Sequence, residues 1–317
     1  MNRLYSFVLP AYKAKFLGEA IDSILAQTYT NFELIIVNDA SPEDLESIVK
    51  LYDDPRIQYY TNKVNVGGKD LIAQWNYSIT YAKGEYLILA SDDDIYEVEY
   101  LEKMDKLVCK YPYVHVFRPR VQLIDSNGEV IGVEGYLNEY STTLEFLYAW
   151  VNNWTGSGVP FYIFRRDALI NKGGFAQYPL AWFADDATVL RMSDTGIVTL
   201  NEVLFSFRWS GLSITSKPNQ YSTLKEKINA TNLFFLEGFN YISNYKEIDE
   251  YTKYLKKHLL QSFPRFMLEN KIIGQLSSAK WIDVWRSMSF VSKLQFVNKR
   301  YLLKWFIRFS CCRLLGR

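Results

Sequence analysis

Apolar and polar positions over the first hundred residues of this chain switch between two periods. A short apolar run at 5–9 ends at Pro10 and reads as a buried strand. Over 16–27, Phe16, Ala20, Ile21, Ile24 and Leu25 fall on one face of a helix. A second apolar run at 32–37 closes on Asn38-Asp39-Ala40-Ser41-Pro42, where Ser41 as cap and Pro42 as first residue predict another helix. Residues 57–60 read as a third strand and 69–82 as a further helix. The run Tyr86-Leu87-Ile88-Leu89-Ala90, opened by Gly84-Glu85, reads as a fourth strand and leads into Ser91-Asp92-Asp93-Asp94.

Strand and helix in strict alternation imply a parallel sheet with right-handed crossovers. The loops at 10–12, 38–41, 61–68 and 91–94 all follow strands, so they should line one edge of that sheet, where ligands collect. From residue 113 the pattern changes. Strand signals at 114–117 and 121–124 precede a hairpin turn at Asp125-Ser126-Asn127-Gly128. Helices are expected at 143–151 and 184–194, with strands near 161–165 and 203–208. Beyond about 220 the pattern is helical and aromatic.

The 317 residues suffice for a full core, and 49% hydrophobic with 22% charged residues is ordinary for a folded chain. Aromatic content is high at 16%, suited to stacking surfaces, an interfacial face or simple core filling. Three cysteines give no disulfide framework and point to a reducing compartment. A strand begins almost at Met1 with no leader pattern, and no uncharged apolar run is long enough to span a bilayer. Charge divides unevenly. Residues 251–317 carry 14 Lys and Arg against Glu269 and Asp283, leaving 22 basic and 33 acidic residues in 1–250. In that tail, Leu302, Trp305, Phe306 and Phe309 share a helical face while Lys304 and Arg308 occupy another, a pattern suited to an anionic membrane interface. A helical bundle with an aromatic core and a solvated basic exterior would give the same composition.

Three consecutive carboxylates at a strand end repel one another unless a cation or strong donors compensate. Hard oxygen ligands suit Mg²⁺ or Mn²⁺, which arrive with substrate phosphates. The same residues would also serve as an acidic turn capping a helix near Glu97.

Taken in order, the motifs resemble family 2 glycosyltransferases, the inverting group with the GT-A fold. Phe7-Val8-Leu9-Pro10-Ala11-Tyr12 is similar to the family's opening strand and turn, and Ile21-Asp22-Ser23-Ile24-Leu25-Ala26-Gln27 to its first helix. Phe32 through Ser41 is similar to its second strand and nucleotide-contacting turn. Asn65-Val66-Gly67, Asn76 and Ala82-Lys83-Gly84-Glu85-Tyr86 lead into the acidic cluster. Phe183-Ala184-Asp185-Asp186-Ala187-Thr188-Val189-Leu190-Arg191 resembles the motif carrying the catalytic base. The resemblance covers about 4–216.

It implies an α/β GT-A fold with a Rossmann-like, mostly parallel sheet. A nucleotide-sugar-binding half (1–112) and an acceptor-binding half (113–216) would precede a basic helical extension (217–317). By the same resemblance, Pro10 and Tyr12 shape the base pocket, Asp39 accepts the imino proton of the base, and Asp92 contacts the donor ribose. Asp93 holds a divalent Mn²⁺ or Mg²⁺ ion, with Asp94 as the alternative ligand. Asp186 is the base, with Asp185 as alternative because it stands where the family usually has Glu. Arg208, in Arg208-Trp209-Ser210-Gly211-Leu212-Ser213, balances diphosphate charge. The Gln-x-x-Arg-Trp motif of processive synthases is incomplete, since Phe205 replaces the Gln.

The activity that the resemblance implies is transfer of one sugar from a nucleoside-diphosphate donor, expected to be UDP-linked, to a glycan or lipid-linked acceptor. The implied setting is cytoplasmic assembly of bacterial surface polysaccharide, lipopolysaccharide or capsule, at the inner membrane face. A sugar-phosphate nucleotidyltransferase is the enzymatic rival, but Pro10-Ala11-Tyr12 lacks a Gly-rich basic phosphate loop. A nucleic-acid-binding module using the basic tail is the non-enzymatic rival, although no nucleic-acid partner is expected.

Overall fold

The computed structural model describes residues 3–211 and 220–314, with side chains to 311 in the last helix. Contacts divide the chain into two units. One comprises 1–177 and 184–213; the other comprises 178–183 and 214–317. The short stretch 178–183 therefore groups with the helical extension, although the sequence pattern placed it in the acceptor half.

In the first unit the order is β1 (Tyr5–Ala11), α1 (Leu17–Leu25), β2 (Phe32–Asn38), α2 (Leu45–Val49), β3 (Ile57–Thr61), α3 (Leu71–Ser78) and β4 (Tyr86–Leu89). These are followed by β5 (Ile95–Tyr96), α4 (Tyr100–Lys110), β6 (Val116–Ile124), β7 (Val130–Val133), β8 (Tyr140–Ser141), α5 (Thr143–Val151), β9 (Ile163–Arg165), α6 (Arg166–Asn171), α7 (Ala184–Met192) and β10 (Ile197–Arg208). One sheet runs in the order β3-β2-β1-β4-β9-β6-β10-β5. β1, β2, β3 and β4 are parallel, as are β6 and β10, while β9 and β5 run against their neighbours. This is the α/β, mostly parallel sheet expected of the GT-A class. β1, β2 and β4 are buried along nearly their whole length, as a sheet covered on both faces requires. Pro10 sits two residues past the last β1–β4 rung, where its missing N–H disturbs the ladder least.

Local chemistry moved several boundaries. Ser41 does not cap α2. Its Oγ donates to the Tyr12 carbonyl at 2.6 Å, and Asp44 caps instead by accepting from Ser47 N at 3.0 Å. α3 begins behind Asp70, whose side chain accepts from Ala73 N, and its last turn tightens to a 3₁₀ turn at Ile79–Tyr81. The expected strand near 161–165 shortens to β9 behind a 3₁₀ turn at Val159–Phe161 opened by Pro160. α5 carries a complete capping box between Thr142 and Glu145. Phe205, standing where a processive motif would carry Gln, is fully buried against Tyr96 (4.8 Å) and Phe161 (5.7 Å).

The second unit holds α8 (Tyr221–Asn244), α9 (Glu250–Phe266), α10 (Ile273–Ser277), α11 (Trp281–Val291) and α12 (Lys299–Leu314). Its core is aromatic. Phe183 stacks on Phe234 at 4.8 Å, and Phe235 packs on Phe263 at 5.7 Å and on Phe296 at 4.4 Å. The tail thus spends much of its aromatic content on packing. The expected lipid face of α12 is corrected as well. Leu302 is buried, and Trp305, Phe306 and Phe309 are half-buried. No described helix is long and apolar enough to cross a membrane.

Candidate active site

Because β1, β2, β3 and β4 are parallel, the residues that follow them emerge at one edge, and three carboxylates gather there. Asp39 follows β2 and is only 5% exposed. Its Oδ1 accepts from Asn62 Nδ2 (2.7 Å) and Val66 N (2.8 Å), and its Oδ2 from Gly67 N (2.7 Å). One side chain therefore fixes the whole loop after β3. Ala40 next to it is left-handed, at φ 49°, in a turn closed by Ser41 N donating to Asn38 Oδ1 at 2.8 Å. A turn that holds a non-glycine residue there is over-determined by its hydrogen bonds.

Asp92 binds the loop after β4 to the loop after β1, its Oδ2 accepting from the backbone N–H of Tyr12 (2.9 Å) and Lys13 (2.8 Å). Its other oxygen takes no hydrogen bond among the described residues. The Tyr12 ring, 41% exposed, stands at the same edge. Asp93 accepts from Ser210 Oγ at 3.2 Å. Burial first, then the neighbouring Asp92 charge, lift its carboxyl above the ordinary carboxylate range, against the pull of Lys13, Ser210 and Arg208.

Asp94 differs from both. It is fully buried, its Oδ1 accepts the Arg208 N–H at 2.8 Å, and its Oδ2 has no hydrogen-bond partner among the described residues. Burial above all, then Asp93, raises its pKa well above the usual value. Its expected role as a helix cap is corrected, because β5 intervenes before α4 and Asp94 fastens β10 instead. The alternative reading of Asp94 as metal ligand fits poorly with this burial.

Arg208 ends β10 inside the protein. Its Nε donates to the Asp93 carbonyl (2.8 Å), its Nη2 to Glu19 Oε2 (2.7 Å), and the guanidinium lies 4.2 Å from the Phe16 ring centre. In this arrangement it braces the Asp93 backbone. The motif continues into Leu212-Ser213, which lie outside the described residues.

The acidic pair opens α7. Asp185, the second residue of α7, accepts the Asp186 N–H on its Oδ1 at 2.9 Å. Both side chains are half-buried. Burial, above all, pushes the Tyr162 phenol up, and the Asp186 charge adds to this. Tyr162 immediately precedes β9, whose Ile163 is in register with Ile88 near the end of β4. The Asp186 charge thus reaches the end of β9 that lies next to the Asp92–Asp94 turn.

Behind this edge lies a polar cluster that no motif of the sequence announces. Arg118, in mid-β6, is completely buried and donates to Glu134, to Thr155 Oγ1 (2.7 Å) and to the Gly156 carbonyl (3.1 Å). Burial alone would lower its pKa, but Glu134 lifts it net above the ordinary value. Glu134 Oε1 also accepts from Gly156 N at 2.7 Å, and Ser157 Oγ lies 3.2 Å from Tyr162 Oη. The Gly156-Ser157-Gly158 loop is thus anchored on the Arg118–Glu134 ion pair. Only an Arg within an apolar strand hinted at it. Asn76, quoted only as part of a motif, ties α3 to Phe175, accepting its N–H at 2.8 Å. A hollow of about 540 Å³ beside Tyr113, His115, Arg165 and Lys172 opens at the opposite end of β9. No cluster of three or more metal-ligating side chains occurs among the described residues.

With this geometry established, comparison with known proteins is informative. The sequence model described as glycosyl transferase family 2 matches residues 6–171. An uncharacterized glycosyltransferase of Rickettsia typhi is 38% identical over 123 residues, 35% of this chain and 37% of its own length. This chain therefore spans little more than a third of that relative. The Escherichia coli UDP-Glc:alpha-D-GlcNAc-diphosphoundecaprenol beta-1,3-glucosyltransferase WfgD is 24% identical over 259 residues, 80% of this chain and 95% of its own. The crystal structure of S. aureus TarS 1-349 in complex with UDP-GlcNAc has the same fold at TM-score 0.61 and 18% identity, covering 86% of this chain and 79% of that one.

Proposed function

Because the chain belongs to glycosyl transferase family 2, we propose that it transfers one sugar, with inversion, from a UDP-linked donor to a glycan or lipid-linked oligosaccharide acceptor in bacterial surface polysaccharide assembly. One observation carries the reading: Asp39, Asp92 and Asp93 converge at the carboxyl edge of the sheet, where Asp92 joins the loop after β4 to the loop after β1. The relative that acts on a diphosphoundecaprenol-linked sugar and the neighbour that binds UDP-GlcNAc support the donor and acceptor classes. The work would take place on the cytoplasmic side of the membrane.

Residues 1–112 would bind the donor. Tyr12 and Pro10 offer apolar surface to the base. Asp39 Oδ2 carries a single hydrogen bond and keeps acceptor capacity for the imino proton. Asp92, with one unused oxygen, would accept from the ribose.

A divalent ion fits here. Asp93 and Asp92 each present carboxylate oxygen that no described residue of the protein claims, side by side at the edge where the diphosphate would lie. One or two carboxylates plus substrate phosphates are what Mg²⁺ and related ions use. Such an ion, held by Asp93, would neutralise charge on the departing diphosphate. Arg208 would act by holding the Asp93 backbone.

In the half at 113–216, Asp186 would take the proton of the acceptor hydroxyl as its oxygen attacks the anomeric carbon. The C–O bond to the sugar forms as the bond to diphosphate breaks, which requires the base on the face opposite the leaving group. Asp185, which accepts the Asp186 N–H, would position it.

The test is a screen of nucleotide sugars with Mn²⁺ or Mg²⁺, using wild type, Asp93→Ala and Asp186→Ala. Both variants should lose transfer by roughly 10²–10⁴-fold. Wild-type turnover in both would refute the mechanism.

A further inference from the structure

Helices α11 and α12 bear a surface that neither the transfer chemistry nor core packing uses. On α11, Trp281 and Trp285 are 42% and 57% exposed; on α12, Leu303 and Ile307 are 56% and 53% exposed. The indole N–H of Trp281 donates to Ser310 Oγ at 3.1 Å, tying the start of α11 to the end of α12, so the two exposed faces adjoin there. Arg286, Arg300, Lys304 and Arg308 are exposed on the same helices, and none has a carboxylate partner among the described residues. The lone acid between 280 and 311, Asp283, is buried. The outward charge of this segment is therefore positive throughout.

We infer that this two-helix face seats on an anionic lipid surface, lying in the interface with Trp285, Leu303 and Ile307 inserted and the cations at headgroup level. Exposed Trp beside aliphatic residues and unpaired cations is the signature of an interfacial helix pair. Each cation near an anionic surface strengthens binding roughly fivefold. A second copy of the chain would bring the same positive charge to the contact and be repelled. Nucleic acid would satisfy the cations but give Leu303 and Ile307 no apolar phase to enter. This inference specifies the surface behind the membrane setting proposed above, and it stands apart from the transfer step.

The test is cosedimentation of the full chain with phosphatidylglycerol-containing vesicles and with phosphatidylcholine vesicles, without donor or acceptor. Wild type should bind the anionic vesicles, lose binding at high salt, and ignore the zwitterionic ones. Trp285→Ser with Ile307→Ser, and separately Lys304→Glu with Arg308→Glu, should each raise the lipid needed for half-binding about tenfold or more. Both variants should melt like wild type and transfer to a water-soluble acceptor unchanged, whereas Val130→Ser with Ile131→Ser should bind vesicles normally. The inference is overturned by wild type that ignores anionic vesicles, or by variants that bind as wild type does. It is also overturned by a dimer that the Trp285/Ile307 variant dissolves without any lipid binding, or by retention on duplex DNA in place of vesicles. A failed transfer assay with intact vesicle binding would count against the enzymatic reading alone.

Discussion

The carboxylate of Asp39 organises the loop after β3 while standing at the expected base site, so the two tasks share one side chain. Gly67 makes this arrangement possible. A Cβ at that position would come within 2.9 Å of Asp39 Oδ2 and 3.3 Å of Leu71 Cδ1. Gly67→Ala should therefore displace the carboxylate and weaken donor binding about tenfold, near 1.4 kcal/mol, with overall stability much less affected. Calorimetry with the preferred nucleotide sugar would check this; unchanged affinity would mean that Asp39 does not meet the base. At this scale the sequence was informative about identity and poor about partners. Asp39, Asp92 and Asp93 were visible as acids after apolar runs. Nothing in the run Asp92-Asp93-Asp94 said that the third is sealed inside and bonded to the Arg208 backbone, because that contact joins positions 114 residues apart.

Among the elements, β6 carries the largest polar commitment. Arg118 and Glu134 form a buried pair that holds the 155–157 loop. Removing one partner strands the other, so Arg118→Ala should cost about 3–5 kcal/mol in denaturant unfolding. Replacing both by apolar residues, Arg118→Met with Glu134→Leu, should recover most of that loss while still loosening the loop. A single-variant cost below about 1 kcal/mol would show that the pair is not truly desolvated. The alternating strands and helices of the first hundred residues were legible because their periods are clean and their loops short. Element ends were less so. Ser41-Pro42 is a good helix start by local rules, yet the tertiary bond from Ser41 to Tyr12 won and moved the cap to Asp44. β5 was invisible because its two residues are a strand only through β10.

For the whole molecule, the basic stretch 251–317 lies wholly within the second structural unit, and the membrane inference belongs to that unit alone. The fold class was readable from the order of elements and the resemblance of the motifs. The grouping of 178–183 with the helical unit was not, since it rests on Phe183 stacking against Phe234, 51 residues away in sequence. The α12 face was misjudged for a related reason. A helix with apolar residues on more than one side does not announce which side meets the core, and Leu302 went inward while Leu303 and Ile307 stayed out.

The central claim is a division of labour, with Asp93 serving the donor diphosphate through a metal and Asp186 serving only the transfer. Titration calorimetry of UDP-sugar binding in Mn²⁺, run beside transfer rates for Asp186→Asn and Asp93→Asn, tests it most directly. Asp186→Asn should keep wild-type donor affinity while transfer falls by about 10²–10⁴-fold, and Asp93→Asn should lose the Mn²⁺-dependent part of donor binding. Donor affinity lost in Asp186→Asn, or Mn²⁺-dependent binding kept in Asp93→Asn, would contradict it.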